Sequence, residues 1–241
     1  MNRSGMTVFF ALASALLAQA PRLSVSTLVR EDLFAGFLGN DMATFEKGVK
    51  TLERLEQEHP DKAGALAWQA SAQLYRAVLA HEAKQPQAFR AHYDKAVAMC
   101  EQAGLRDTKH IGVLIVCGAA HMIFADRYPE PERRRSAQIG YAAYQKAIEV
   151  QSAVYKTFPV HLKGELLVGL AQLAQRTHDA PAMKRYLEEV VTSMPGTVYA
   201  TRAQRWIDKP EIAPTTTITC LTCHDPGRLK NRLADQPKPA E

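Results

Sequence analysis

Near one end of the 241-residue chain stand two thiols and an imidazole, in the order Cys220-Leu221-Thr222-Cys223-His224. Three chemistries use that spacing. The thiols can add across the two vinyl groups of a porphyrin while the adjacent imidazole gives iron an axial nitrogen. They can close a redox-active disulfide, or they can join the imidazole as part of a tetrahedral zinc site. A redox-active dithiol normally opens a helix that follows a strand, whereas Cys220 follows a threonine-rich run. A zinc site closed within this tail needs further ligands, and the 17 residues after His224 hold no Cys, His or Met. The spacing therefore points first to one covalent haem per chain, with Cys220 and Cys223 as thioether residues and His224 as iron ligand.

Over this short segment the chain resembles the monohaem c-type cytochromes. It departs from both common arrangements. Small class I cytochromes c carry a distal Met well downstream of the attachment site in a helical domain of their own, and this tail has no room for either. Cytochromes c′ carry the motif inside the last helix of a bundle, whereas here Thr215, Thr216, Thr217 and Thr219 before it and Pro226-Gly227 after it oppose a continuous helix. A sixth iron ligand must then come from the rest of the chain, from another chain or from water. His121, Met122, His161 and His178 are the candidates, and no residue is assigned a catalytic role.

Covalent haem attachment takes place outside the cytoplasm, and residues 1–20 agree with export. Arg3 precedes an apolar stretch over residues 8–18, and Ala18-Gln19-Ala20 ends it with small residues, the three zones of a secretory signal peptide. The apolar stretch is about half of the roughly 20 residues a membrane span needs. The expectation is a periplasmic or otherwise exported protein with no span after signal removal, with membrane association left open.

The elements that must position the motif read as helices. Apolar residues are 46% and charged residues 23% of the chain, the balance of a chain that can fold around a core, and aromatics at 7% argue against a strand-rich fold. The net charge of +5 is spread among 25 acidic residues, with no concentrated patch for nucleic acid. Gly39-Asn40-Asp41, His59-Pro60-Asp61, Gln85-Pro86, Gly104, Pro129 with Pro131, Pro159, His178-Asp179 and Pro195-Gly196 punctuate about eight helices between Leu28 and Asp208. Within residues 44–58, Phe45, Gly48, Val49, Leu52 and Leu55 make one apolar stripe. Ile111–Ala125 is apolar nearly all round and reads as a central helix. Glu132-Arg133-Arg134-Arg135 reads as the solvated start of a helix.

Three helix ends share one pattern: Leu52-x2-Leu55-x4-Pro60, Gln151-x2-Val154-x4-Pro159 and Leu187-x2-Val190-x4-Pro195. Eight residues beyond two of these prolines come Trp68-x2-Ser71-Ala72-x2-Tyr75 and Leu167-x2-Leu170-Ala171-x2-Ala174. On these residues the chain resembles tetratricopeptide repeat proteins, whose unit is a helix pair of about 34 residues with a large, Leu, Gly, Tyr pattern in its first helix. The resemblance covers roughly residues 41–208 and departs at Gly48, Met183 and Ala174; an ordinary antiparallel bundle is the alternative. It implies an all-α fold of antiparallel helix pairs stacked as a solenoid over residues 21–208, with an irregular haem-bearing tail over residues 209–241. Five of the 13 prolines fall in the last 32 residues, so the tail reads as a linker rather than another repeat. A hairpin centred at Gly104 separates Cys100 and Cys117 by about 12 Å along the helix axis, which predicts two buried free thiols.

These features favour an electron-transfer protein whose helical body docks a redox partner. The alternatives are a periplasmic scaffold or assembly protein with structural or no haem, and a haem enzyme or gas sensor with an open sixth position. No Ser/His/Asp, paired-carboxylate or phosphate-loop constellation supports a hydrolase or kinase.

Overall fold

The computed structural model describes residues 23–218. Within them the chain forms nine α-helices and no strand: α1 Val25–Gly39, α2 Met42–Glu58, α3 Lys62–Glu82, α4 Pro86–Arg106, α5 Ile111–Ala125, α6 Glu132–Val150, α7 Val160–Arg176, α8 Ala180–Ser193 and α9 Val198–Asp208. Two single 3₁₀ turns, Tyr155–Thr157 and Pro210–Ile212, complete the elements. The helices begin where short polar side chains can replace the missing backbone acceptors. Asp41 accepts from the amide of Thr44, Asp61 from Gly64, Asp179 from Ala182 and Thr197 from Ala200.

Consecutive helices pack as pairs: α1 with α2, α3 with α4, α5 with α6, and α7 with α8, while α9 covers the end of the stack. The odd-numbered helices also pack on one another in series, α1 on α3, α3 on α5, α5 on α7 and α7 on α9; among the described residues the even-numbered helices make no comparable contact with each other. A stack whose one layer is close and whose other layer is spread must curve, with the close layer inside. The odd helices therefore form the inner, concave layer of a helical-repeat-like solenoid.

The repeated sequence pattern falls on this inner layer. Trp68, Ala72 and Tyr75 of α3 and Leu167, Leu170, Ala171 and Ala174 of α7 are all buried. Tyr75 donates its hydroxyl to the carbonyl of Gly36 in α1 at 2.7 Å, which ties the first two pairs together. Pro60, Pro159 and Pro195 each stand in the turn that leads from an outer helix into an inner one. Two glycines make close approaches: Gly118 of α5 and Gly169 of α7 receive opposite edges of the Tyr144 ring, which α6 inserts between them. The three arginines after Glu132 are exposed on the first turn of α6, as the charge run implies, but Glu132 itself is buried, where it pairs with Arg90 of α4.

Two expectations are corrected. Gly104 lies inside α4, which continues to Arg106, so the turn before α5 falls at residues 107–110. Asp107 accepts from the amide of Lys109 and the His110 side chain accepts from that of Val113, the polar chemistry that closes the turn. Moving the turn by four residues removes the predicted separation. Cys100 and Cys117 are equidistant from its centre, their Cα atoms are 6.0 Å apart, and they form a disulfide rather than two free thiols.

Beyond α9 the chain is packed as far as it is described. Ala213 and Ile218 are buried in the same apolar cluster as Leu167, Val168, Tyr199 and Trp206. The proline and threonine content of this stretch reads as a linker, but threonine hydroxyls also satisfy a chain lying on a helix. Trp206 donates to Thr216 Oγ1 at 2.9 Å, and Thr217 donates to Gln172 Oε1 at 2.6 Å.

Candidate functional site

Cys220, Cys223 and His224 lie outside the described residues, so the site is built from what leads to them. The last described residues run back along α7. Arg176, near the C-terminal end of that helix, donates to the carbonyls of Ala213 at 2.9 Å and Thr216 at 3.1 Å while pairing with Asp126 at the end of α5. Its side chain is only 12% exposed, and the guanidinium is fixed by four partners at once, Asp126, Ala213, Thr216 and Gln175 Oε1. One turn earlier on α7, buried Gln172 accepts both from the Thr217 hydroxyl and from the amide of Ile218 at 3.1 Å. The chain therefore travels antiparallel to α7, from Arg176 toward its N-terminal half, and Cys220 follows two residues after this last anchor.

Along α7, Leu162, Glu165, Gly169, Gln172 and Arg176 recur three and four apart, which puts the anchors and Leu162 and Glu165 on one stripe. The N-terminal half of that stripe borders a cavity of about 280 Å³ on the inner layer, just below the range for cofactor sites. Four inner helices and the Tyr144 ring of α6 line it: α1 with Arg30 and Phe34, α3 with Trp68, α5 with Ile115, Met122 and Ile123, and α7 with His161, Leu162 and Glu165. Most of the wall is apolar. Arg30 is the cationic exception, and its Nε–H is buried with no acceptor among the described residues. At the opposite side, the Tyr199 hydroxyl donates to Glu165 Oε1 at 3.0 Å and stands 2.8 Å from His161 Nδ1. With its proton given to Glu165, the phenolic oxygen is the acceptor for His161 Nδ1–H, which fixes the ring's orientation in the way that metal-binding imidazoles are held.

Of the four candidates for an iron ligand, the cavity brings together two. Met122 and His161 both line it. His178 is exposed in the turn after α7, at φ 62°, away from the cavity wall. His121 is fully buried: its Nδ1 is 2.8 Å from Ser136 Oγ, and its Nε2 has no partner among the described residues. Burial, reinforced by the Arg135 charge, pushes its pKa down to about 3, so the ring is neutral. Sequence reasoning missed Arg30, Glu165, Tyr199, Gln172 and Arg176. The last two and Glu165 were findable as a polar series on an otherwise apolar helix, but only after α7 was known to belong to the inner layer.

The wall is largely apolar and carries one guanidinium, Arg30, and one carboxylate, Glu165. Among the described residues no group of three or more His, Cys, Asp and Glu side chains could hold a bare metal ion. No described helix is long and apolar enough to cross a membrane. Comparisons with protein-family models, curated proteins and solved structures returned no match to this chain.

Proposed function

We propose that the protein is an exported monohaem c-type electron carrier whose tetratricopeptide-like body docks a protein redox partner. The observation that carries this reading is the spacing of Cys220, Cys223 and His224 immediately after a chain segment pinned to α7. Cys220 and Cys223 would hold the porphyrin and His224 would give iron its proximal nitrogen. Bound there, the group supplies a reversible one-electron couple. The chain's own residues fix the point from which the motif leaves the body, through Gln172 and Arg176, and provide an inner layer of the kind that helical-repeat proteins use to bind partners.

Export is supported by the order of charged, apolar and small residues in 1–20 and by the Cys100–Cys117 disulfide, since such bonds persist in oxidising compartments. The test is a redox titration of protein produced with a c-type maturation system. A single reversible haem couple is the expected result, and a haem that cannot be cycled contradicts electron transfer. The scaffold reading is favoured by the curved inner layer itself. It predicts partner capture that survives replacement of both Cys220 and Cys223 by alanine, whereas the carrier reading predicts that electron exchange with the partner is lost.

A further inference from the structure

We propose that the inner-layer cavity binds a free amino acid with a large apolar side chain, its carboxylate held by Arg30, its ammonium by Glu165 and its side chain by the apolar floor between them. This binding needs no haem. The cavity is graded from floor to rim: Trp68 of α3 and Met122 and Phe124 of α5 are buried, whereas Arg30, Ile123 and Glu165 are half-buried and bring it to the surface. A solute can enter, and what it meets changes from charged to apolar.

Size sets the first limit. An apolar cavity of about 150 Å³ takes a benzene ring, so about 280 Å³ admits a ring of that size with a short polar chain attached. The space is too small to enclose a nucleotide or a macrocycle.

Charge sets the second limit. Arg30 Nε–H is buried with no acceptor among the described residues, and a ligand carboxylate recovers the hydrogen bond that this cation lacks. A simple carboxylate would satisfy Arg30 but would bring its charge into a space that Glu165 also lines. Glu165 Oε1 accepts from Tyr199 at 3.0 Å, which orients the acid and uses one of the roughly four acceptor positions of a carboxylate. A ligand with one carboxylate and one ammonium answers both groups and adds no net charge.

The order of the helices fits the same molecule. Arg30 comes from α1 and Glu165 from α7, and α3 and α5 pack in series between them. The three substituents of an amino acid diverge from its α-carbon, so the carboxylate turns toward α1, the ammonium toward α7 and the side chain toward the floor on α3 and α5.

The test is calorimetric titration of the full-length protein with L-phenylalanine and L-leucine, beside three probes that each lack one substituent: 3-phenylpropionate, 2-phenylethylamine and glycine. Phenylalanine or leucine should bind, and each of the three probes should bind about 10- to 100-fold more weakly than phenylalanine or not at all. Arg30→Gln should weaken phenylalanine by a similar factor while leaving 2-phenylethylamine unchanged, a contrast that a general loss of folding does not produce. Methyl NMR of the unmutated protein locates the site, with the largest shifts expected at Ile115, Ile123 and Leu162 and with Leu187 and Val191 of α8 unmoved. No binding of either amino acid, a probe that binds as well as phenylalanine, or shifts centred on α8 would each overturn the assignment.

Discussion

Replacing Gly169 by alanine should destabilise the fold even though alanine is the better helix former. A Cβ on Gly169 would stand 2.9 Å from Tyr144 Cδ2 and nearer still to Cε2, and one on Gly118 would stand 2.5 Å from Cε1 of the same ring. Tyr144 is 2% exposed and is held on both edges, so the ring has no direction in which to give way. Overpacking of this kind costs about 1–3 kcal/mol, offset by the roughly 1 kcal/mol that Gly→Ala gains in a helix. The net expectation for Gly169→Ala is a loss of about 1–2 kcal/mol. Gly104 is the internal control: it is also helical, but among the described residues nothing lies within 4 Å of an added Cβ. Gly104→Ala should therefore gain up to about 1 kcal/mol. Urea unfolding followed by circular dichroism reads both, with the slope unchanged and the midpoint moving in opposite directions. In a Tyr144→Leu background the Gly169→Ala penalty should shrink or reverse, because the smaller side chain vacates the contact. Equal effects at Gly104 and Gly169, or a penalty that persists without the tyrosine ring, would refute the wedge.

Burial pushes the His121 pKa down to about 3, against 6.5 for an exposed imidazole, so below pH 6.5 the unfolded chain binds a proton that the folded chain refuses. Its contribution is complete above pH 6.5 and is lost as pH falls toward 3; between pH 6 and 5 the stability of the native protein should drop more steeply than that of His121→Asn, by up to about 1.4 kcal/mol per pH unit. Thiol titration of the unreduced protein, unfolded in denaturant, should find Cys100 and Cys117 unreactive, and replacing both by serine should cost about 3 kcal/mol for a loop of this length. Arg176→Ala removes the donor to Ala213 and Thr216; a glutamate-specific endoprotease should then cut after the exposed Glu211 markedly faster, with the remaining helices still protected, and an unchanged cleavage rate would show that the tail is held by other contacts.

The all-helical class and the pairwise stacking were legible because they rest on periodicity and punctuation that survive without long-range information. Asp41, Asp61 and Asp179 announced helix starts, and the three prolines at matching offsets announced entries into the inner layer. Gly104 misled because glycine breaks a helix only where the chain must turn, and here the polar side chains of Asp107 and His110 set the turn instead. That four-residue error was enough to turn a disulfide into two free thiols. Threonines 215–217 misled for a related reason: their composition suits a solvated linker equally well as a strap held by Trp206 and Gln172, and only the partner residues decide. The cavity was not legible at all. It joins residues of five helices more than 130 positions apart, and nothing local marks Arg30 and Glu165 as facing one space.

The central claim is covalent haem at Cys220 and Cys223, and the measurement that meets it most directly is intact mass spectrometry with peptide mapping of protein matured by a c-type system. The account predicts one haem adduct per chain, carried by the peptide that contains both cysteines and lost when both are replaced by alanine. Fully matured protein at the bare polypeptide mass, or an adduct mapped to any other peptide, would contradict it.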